Sequence, residues 1–225
     1  MGVESTIVEK NKDGTYQVKG GNVNDGDNGI YLQGKDGAKG DLVGYSATPS
    51  SFFESETNTW QGKINPNDQS GRDFLNEKII RDNPGTYMYA KNAGNGKKYD
   101  FKSTNGTSGI KYEKTSDFYR GMPILGTKNG KQIYASARDI GNIGAGLVAG
   151  RAGLNWTSAR IGFDGYQSST AGKINIEGIS TQYAEKLGYR IGNQMYQQET
   201  LSRLPGNGEL RNIKISDDVI NKGDL

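Results

Sequence analysis

Polar and apolar residues alternate in short runs through the first 134 residues, and turn pairs punctuate them. In STIVEKNKDGTYQVKG the alternation flanks Asp13-Gly14, a pair that two-residue hairpin turns favour, so this stretch reads as a hairpin. GIYLQGKDGAKGDLVGYS repeats the pattern around Asp36-Gly37, and GTKNGKQIYASA repeats it around Asn129-Gly130. TYMYAKNAGNGKKYDFKS reads as two further strands around Gly94-Asn95-Gly96. Between them RDFLNEKIIRDNPG breaks the alternation. Phe74, Leu75, Ile79 and Ile80 approximate helical spacing, and Asn83-Pro84-Gly85 stops the helix.

After residue 134 the period changes. Ser136, with Asp139 three residues on, has the form of a capping box. Ile140, Ile143 and Leu147 then fall on one helical face, and Gly153 ends the helix. Asn155 is placed to cap a second helix, WTSARIGFDGYQ, and Ser180 a third, whose apolar stripe is Ala184, Leu187, Ile191 and Met195. Pro205-Gly206 punctuates, and ELRNIKISDDVINKGDL reads as a short strand and tail. The expected class is therefore α+β. Residues 1–134 form a β-rich part with several hairpins, residues 135–205 a packed three-helix part, and residues 206–225 a short strand and tail.

Composition sharpens the chemistry more than the fold. Gly supplies 34 of 225 residues, roughly twice its usual share of about 7%, which implies tight turns and close backbone approaches. Gly141, Gly144, Gly146 and Gly150 all lie in the first predicted helix after residue 134. Each costs about 1 kcal/mol relative to Ala there, a cost tolerated where something must approach closely. The net charge of +3 is spread among interspersed acids and bases, which gives nucleic-acid binding little support. The chain contains neither Cys nor His. Thiol nucleophiles, disulfides, Cys/His zinc sites and Ser-His-Asp hydrolysis are excluded, so any catalysis rests on carboxylates, Lys, Arg, Tyr, Ser or Thr. No bound cofactor is expected, although carboxylates bind Mg²⁺ or Ca²⁺ weakly. No apolar run reaches the roughly 18 residues of a membrane helix. The chain opens on a polar stretch without a leader pattern and is expected to be one module of a longer protein.

Several residues are candidates for a site. Asp100 and Lys102 alternate with Tyr99 and Phe101, so on a strand they share one face. That face is either solvated or lines a cleft, where Lys102 would hold a phosphate or developing oxyanion and Asp100 would move a proton or hold a metal. Asp139 and Asn142 begin the glycine-rich helix, at the end that can meet an anion or another element. Asp139 also fits a purely capping role. Asp164, among glycines in GFDGYQ, and Glu177, just before the third helix, are further acids with either a surface or a catalytic reading. NVNDGDNGI lacks the spacing and closing Glu of a calcium loop and reads as a polar turn.

Tyr99-Asp100-Phe101-Lys102, followed by Asp139-Ile140-Gly141-Asn142 and the small residues after it, resembles the polymorphic toxin type 44 family over roughly residues 97–192. Tyr99 stands where Trp is common in that family. The region is similar to the C-terminal tips of Rhs-type secreted bacterial proteins. The resemblance implies an antibacterial toxin delivered into a target bacterium, often by type VI secretion, and neutralised by a cognate immunity protein. From their order and residue types, Asp100, Lys102, Asp139 and Asn142 are expected to floor one cleft, the glycines letting the start of the helix approach the strand. Three activities stay open. One is a His-independent hydrolase of peptidoglycan or its precursor, for which two carboxyl groups suffice and which favours action in the periplasm. The second is a ribonuclease or other nuclease using Lys102 and Arg side chains on phosphates, and the third a non-enzymatic domain that binds and blocks an envelope protein; a monomer is expected in each case.

Overall fold

A computed structural model describes residues 5–22, 24–55, 57–107, 109–171 and 179–203. Three of the expected hairpins form. β1 (Ser5–Lys10) pairs antiparallel with β2 (Tyr16–Asn22), and β3 (Gly29–Gln33) with β4 (Lys39–Ser46). Two two-residue strands, β5 (Phe53–Glu54) and β6 (Thr59–Trp60), pair with each other, and β7 (Lys63–Ile64) follows. The last hairpin joins β8 (Gly121–Lys128) and β9 (Lys131–Ser136).

These hairpins close into a seven-stranded barrel in the order β1-β2-β7-β8-β9-β4-β3. Closure depends on short parallel contacts between hairpins, β1 with β3, β4 with β9, and β7 with β8. It leaves no free sheet edge around the barrel. Val8, Ile30, Phe52 and Ile64 fill the interior and are fully buried. Each such side chain contributes about 1.5–3 kcal/mol.

β9 shows how the barrel and the helical layer share a wall. Tyr134 points into the barrel core, whereas its neighbours Ile133 and Ala135 belong to a second core with Met122 and Ile124 of β8. The period-2 alternation of a strand makes this two-sided burial possible. The second core is completed by α4 (Ala137–Arg151), whose Ile140, Ile143 and Leu147 are all fully buried as the stripe predicts. Ser136 caps α4, its hydroxyl accepting the Asp139 N–H at 3.4 Å. Gly153 follows the helix at φ +72°, a conformation Gly adopts freely. Asn155 accepts the N–H of Ser158 at 2.8 Å and caps α5 (Trp156–Ala171) as expected. In α6 (Ile179–Ser202), Ala184, Leu187, Ile191 and Met195 are buried as one stripe. Ser180, expected as the cap, instead lies inside α6 and accepts a hydrogen bond from the Ser50 hydroxyl at 2.5 Å.

The chain is α+β, with a β-rich N-terminal sheet followed by helices. Two details of the first 134 residues differ from the sequence reading. The expected helix starts as α1 (Ser70–Asp73) and widens into a π-helix over Phe74–Arg81, marked by Asp82 N–H bonding back five residues to Glu77 O at 3.2 Å. The two strands expected around Gly94-Asn95-Gly96 are helical instead: α2 (Thr86–Asn92) and a single turn, α3 (Phe101–Thr104). The alternating rings suggested strands, but tertiary contacts decide otherwise. Tyr89 and Tyr99 stack with centroids 4.8 Å apart, Tyr89 O–H reaches Gly141 O at 2.7 Å, and Phe101 is fully buried. Asn105 then ends α3 at φ +55°, a left-handed position Asn tolerates. The strand expected within residues 206–225 lies outside the described residues.

Candidate functional site

α2, α3, α4, α5 and α6 enclose a cleft of about 270 Å³. Most of its wall is apolar or small: Ala90 of α2 and Ala93 just after it, Ala145 and Val148 of α4, and Ala159 and Phe163 of α5. Three candidate residues meet in it, namely Asp100, Lys102 and Asn142.

Asp100 is held from both sides. Its carboxylate Oδ2 accepts the Gly96 N–H at 2.8 Å, and its carbonyl accepts from the Thr104 hydroxyl at 2.8 Å. The residue is 6% exposed, and among the described residues its Oδ1 takes no hydrogen bond. Lys102 is exposed, with Nζ 5.6 Å above the Phe118 ring, and it forms no ion pair among the described residues. Because Phe101–Thr104 is helical, Asp100 and Lys102 do not share a strand face. Asp100 precedes the turn and is buried, and Lys102 points outward at its mouth. Arg120 locks this turn, donating to Lys102 O at 2.8 Å and Phe101 O at 3.1 Å while lying over the Tyr112 ring. Burial lowers the Arg120 pKa from its usual value. Asn142 presents a half-buried amide that makes no hydrogen bond to another described residue.

Asp139 is not in the cleft, which corrects the expected four-residue floor. It is fully buried beneath it, where Oδ2 accepts from the hydroxyls of Thr48 and Ser51, both at 2.8 Å. Its other oxygen pairs with Arg138 Nε at 3.0 Å. Arg138 lines the cleft in its place. Its remaining nitrogens donate to Tyr119 Oη at 2.9 Å and Ser50 O at 2.7 Å, and Tyr119 in turn donates to Glu54. Burial opposes the Arg138 charge, but Asp139, Tyr119 and Glu54 outweigh it and leave its pKa raised. Burial pushes the Tyr119 pKa well up. Asp139 therefore ties α4 to the barrel, and its first-turn position reflects that role.

Asp164 also lies outside the cleft, paired through Oδ1 with Arg160 Nη2 at 2.5 Å. Arg160 Nη1 bonds Glu185 Oε2 at 2.5 Å, and Glu185, only 2% exposed, does line the cleft. Glu177 lies outside the described residues. Sequence reading missed Arg138, Arg160 and Glu185. A signal existed for the last: Glu185, Gly188 and Gly192 stand at i, i+3 and i+7, which puts an acid on the glycine face of α6.

The Asp-rich loop before β3 is a turn closed by a lysine. Lys39 Nζ lies 2.9 Å from Asp25 and 2.8 Å from Asp27. Among the described residues no three His, Cys, Asp or Glu side chains group to hold a metal ion, and no helix is long and apolar enough to cross a membrane. Compared with family models, curated proteins and solved structures, the chain matches none.

Proposed function

We propose that this chain is an antibacterial toxin domain that acts in the envelope of a target bacterium as a His-independent hydrolase, with the cleft as its site. The toxin part rests on the resemblance to the type 44 and Rhs-type tips. One observation carries the site: Asp100 Oδ1, the Lys102 ammonium and the Asn142 amide line a single, mostly apolar cleft with hydrogen-bonding capacity unspent. In this reading Asp100 takes the proton of an attacking water, and Lys102 with Asn142 stabilises the oxyanion that forms. An apolar wall strengthens each of these interactions by excluding water. The peptidoglycan precursor fits such a wall better than a bare glycan does, because glycans need a polar groove.

A second reading has its own support. Tyr87 and Met88 of α2, Ile161 of α5 and Leu154 just before it are exposed hydrophobics, as a surface that blocks an envelope protein would present. Expression in a sensitive host, with and without an export signal, tests the compartment. Asp100→Asn then separates the two activities: it abolishes killing by a hydrolase and leaves a blocking domain nearly intact. Killing only from the cytosol would overturn both envelope readings and leave the nuclease.

A further inference from the structure

The face of α4 that lines the cleft carries Arg138, Gly141, Asn142, Ala145, Val148 and Ala149, which recur at helical spacing. Arg138 and Asn142 stand one turn apart on it, a separation that makes helical side chains neighbours. The other side chains of this face are small or apolar, so these two supply its polarity.

The Arg138 guanidinium is fixed but not used up. Nε donates to Asp139 Oδ1 at 3.0 Å, Nη1 to Tyr119 Oη at 2.9 Å and Nη2 to Ser50 O at 2.7 Å. These acceptors hold the group in one orientation. Each terminal nitrogen keeps a second N–H that finds no acceptor among the described residues. The side chain is 21% exposed, so the group is not sealed into the core. Its counter-charge does not line the cleft: Asp139 is fully buried and spends Oδ2 on the Thr48 and Ser51 hydroxyls. Of the two acids that do line it, Glu185 is paired with Arg160 at 2.5 Å, and Asp100 is matched in number by Lys102. Positive charge is thus left over at Arg138.

A pre-oriented arginine in a mostly apolar cleft is suited to the oxygens of a carboxylate or phosphate. The Asn142 amide makes no hydrogen bond to another described residue and carries two N–H donors, one more than the developing oxyanion needs. We propose that Arg138 and Asn142 bind an anionic group of the substrate, a phosphate or a carboxylate, and that the cleft thereby selects an anionic substrate. The proposal deepens the reading of the cleft as a hydrolytic site and rests on it.

Titration of the isotope-labelled whole chain tests it, with inorganic phosphate in one arm and acetate in the other, and chloride holding the ionic strength constant. NMR follows the side-chain N–H signals of Arg138 and Asn142. Both are expected to shift along one saturating curve in at least one arm, and the tighter arm assigns the group as phosphate or carboxylate. Asn142→Ala removes no hydrogen bond between described residues, so it should keep the wild-type Tm while weakening binding about fivefold. Arg138→Gln/Asp139→Asn removes both charges of the buried pair, so neither is left unpaired. It should weaken binding at least about tenfold, the scale of a hydrogen bond to a charged group. No shift in either arm overturns the proposal. So does unchanged affinity in either variant, because the anion then sits elsewhere. The two readings fail separately. Killing lost in Asp100→Asn without anion binding keeps the hydrolase and removes the anion receptor. Anion binding at Arg138 with full killing by Asp100→Asn keeps the receptor and removes the hydrolase.

Discussion

Gly146 of α4 lies against the backbone of Glu185 of α6, so close that a β-carbon on Gly146 would fall 1.8 Å from the Glu185 carbonyl oxygen. The contact recurs along the seam. A β-carbon on Gly150 would meet Tyr189 O at 2.2 Å, one on Gly188 would meet Ile143 O at 1.9 Å, and one on Gly192 would meet Leu147 O at 2.1 Å. Two glycine pairs, each four residues apart, thus let the helices touch backbone to backbone. The same seam sets Glu185 into the cleft wall.

Even alanine is too large at this seam. Gly146→Ala and Gly188→Ala should each destabilise the protein by about 3 kcal/mol, the upper end of common overpacking costs, and leucine at Gly146 or Gly150 should cost more. Gly165 of α5 is exposed with open space around it, so Gly165→Ala should stabilise by up to about 1 kcal/mol through helix propensity. Thermal melting of the set checks both signs. Equal Tm values across it would contradict the packing.

Asp139 and Asp100 should behave differently under the same substitution. Asp139→Asn removes the charge partner of Arg138 at a fully buried position, and breaking such a pair costs about 3–5 kcal/mol. Asp100→Asn keeps an oxygen for the Gly96 N–H and should change Tm little. Chemical denaturation of both variants distinguishes them, and similar losses of stability would contradict these placements.

Much of the fold was legible because local chemistry and tertiary structure agree. Asn129-Gly130 makes a two-residue turn and Asp13-Gly14 lies in the loop that joins β1 to β2, Ser136 and Asn155 cap their helices, and the α6 stripe from Ala184 to Met195 is buried. Residues 86–104 were misread because alternating rings suit a strand, and only the stacking of Tyr89 on Tyr99 against α4 makes them helical. Barrel closure was invisible, since strands as short as Lys63–Ile64 carry no periodicity. At the site, Asp100, Lys102 and Asn142 were found by residue type. Arg138 and Glu185 were not, because each is defined by partners distant in sequence, Ser50 for one and Arg160 for the other.

Acid should loosen the barrel where Asp25 and Asp27 stitch it. Burial opposes both charges, but Lys39 together with Ser5 and the Asp27 amide at Asp25, and with the Gly29 amide and Tyr31 at Asp27, outweighs it and holds both pKa values below the ordinary range. A depressed carboxylate pKa adds stability above the unfolded value of about 3.9, and that stability is lost as pH falls through the folded value. Melting followed from neutral pH downward should therefore show Tm falling steeply below about pH 4. The Asp25→Asn/Asp27→Asn double variant should start lower at neutral pH and fall less. Parallel profiles would contradict the role given to this cluster.

The central claim is that the cleft is where the protein acts. The most direct measurement exports wild type, Asp100→Asn and Lys102→Met to the periplasm of a sensitive host without an immunity protein, and counts survivors. Melting temperatures of the purified proteins are taken alongside. The account predicts killing by the wild type and at least about a hundredfold loss of killing in each variant, the usual scale for removing an acid–base or oxyanion-stabilising group, with Tm unchanged. Full killing by both variants, at wild-type stability, would contradict it.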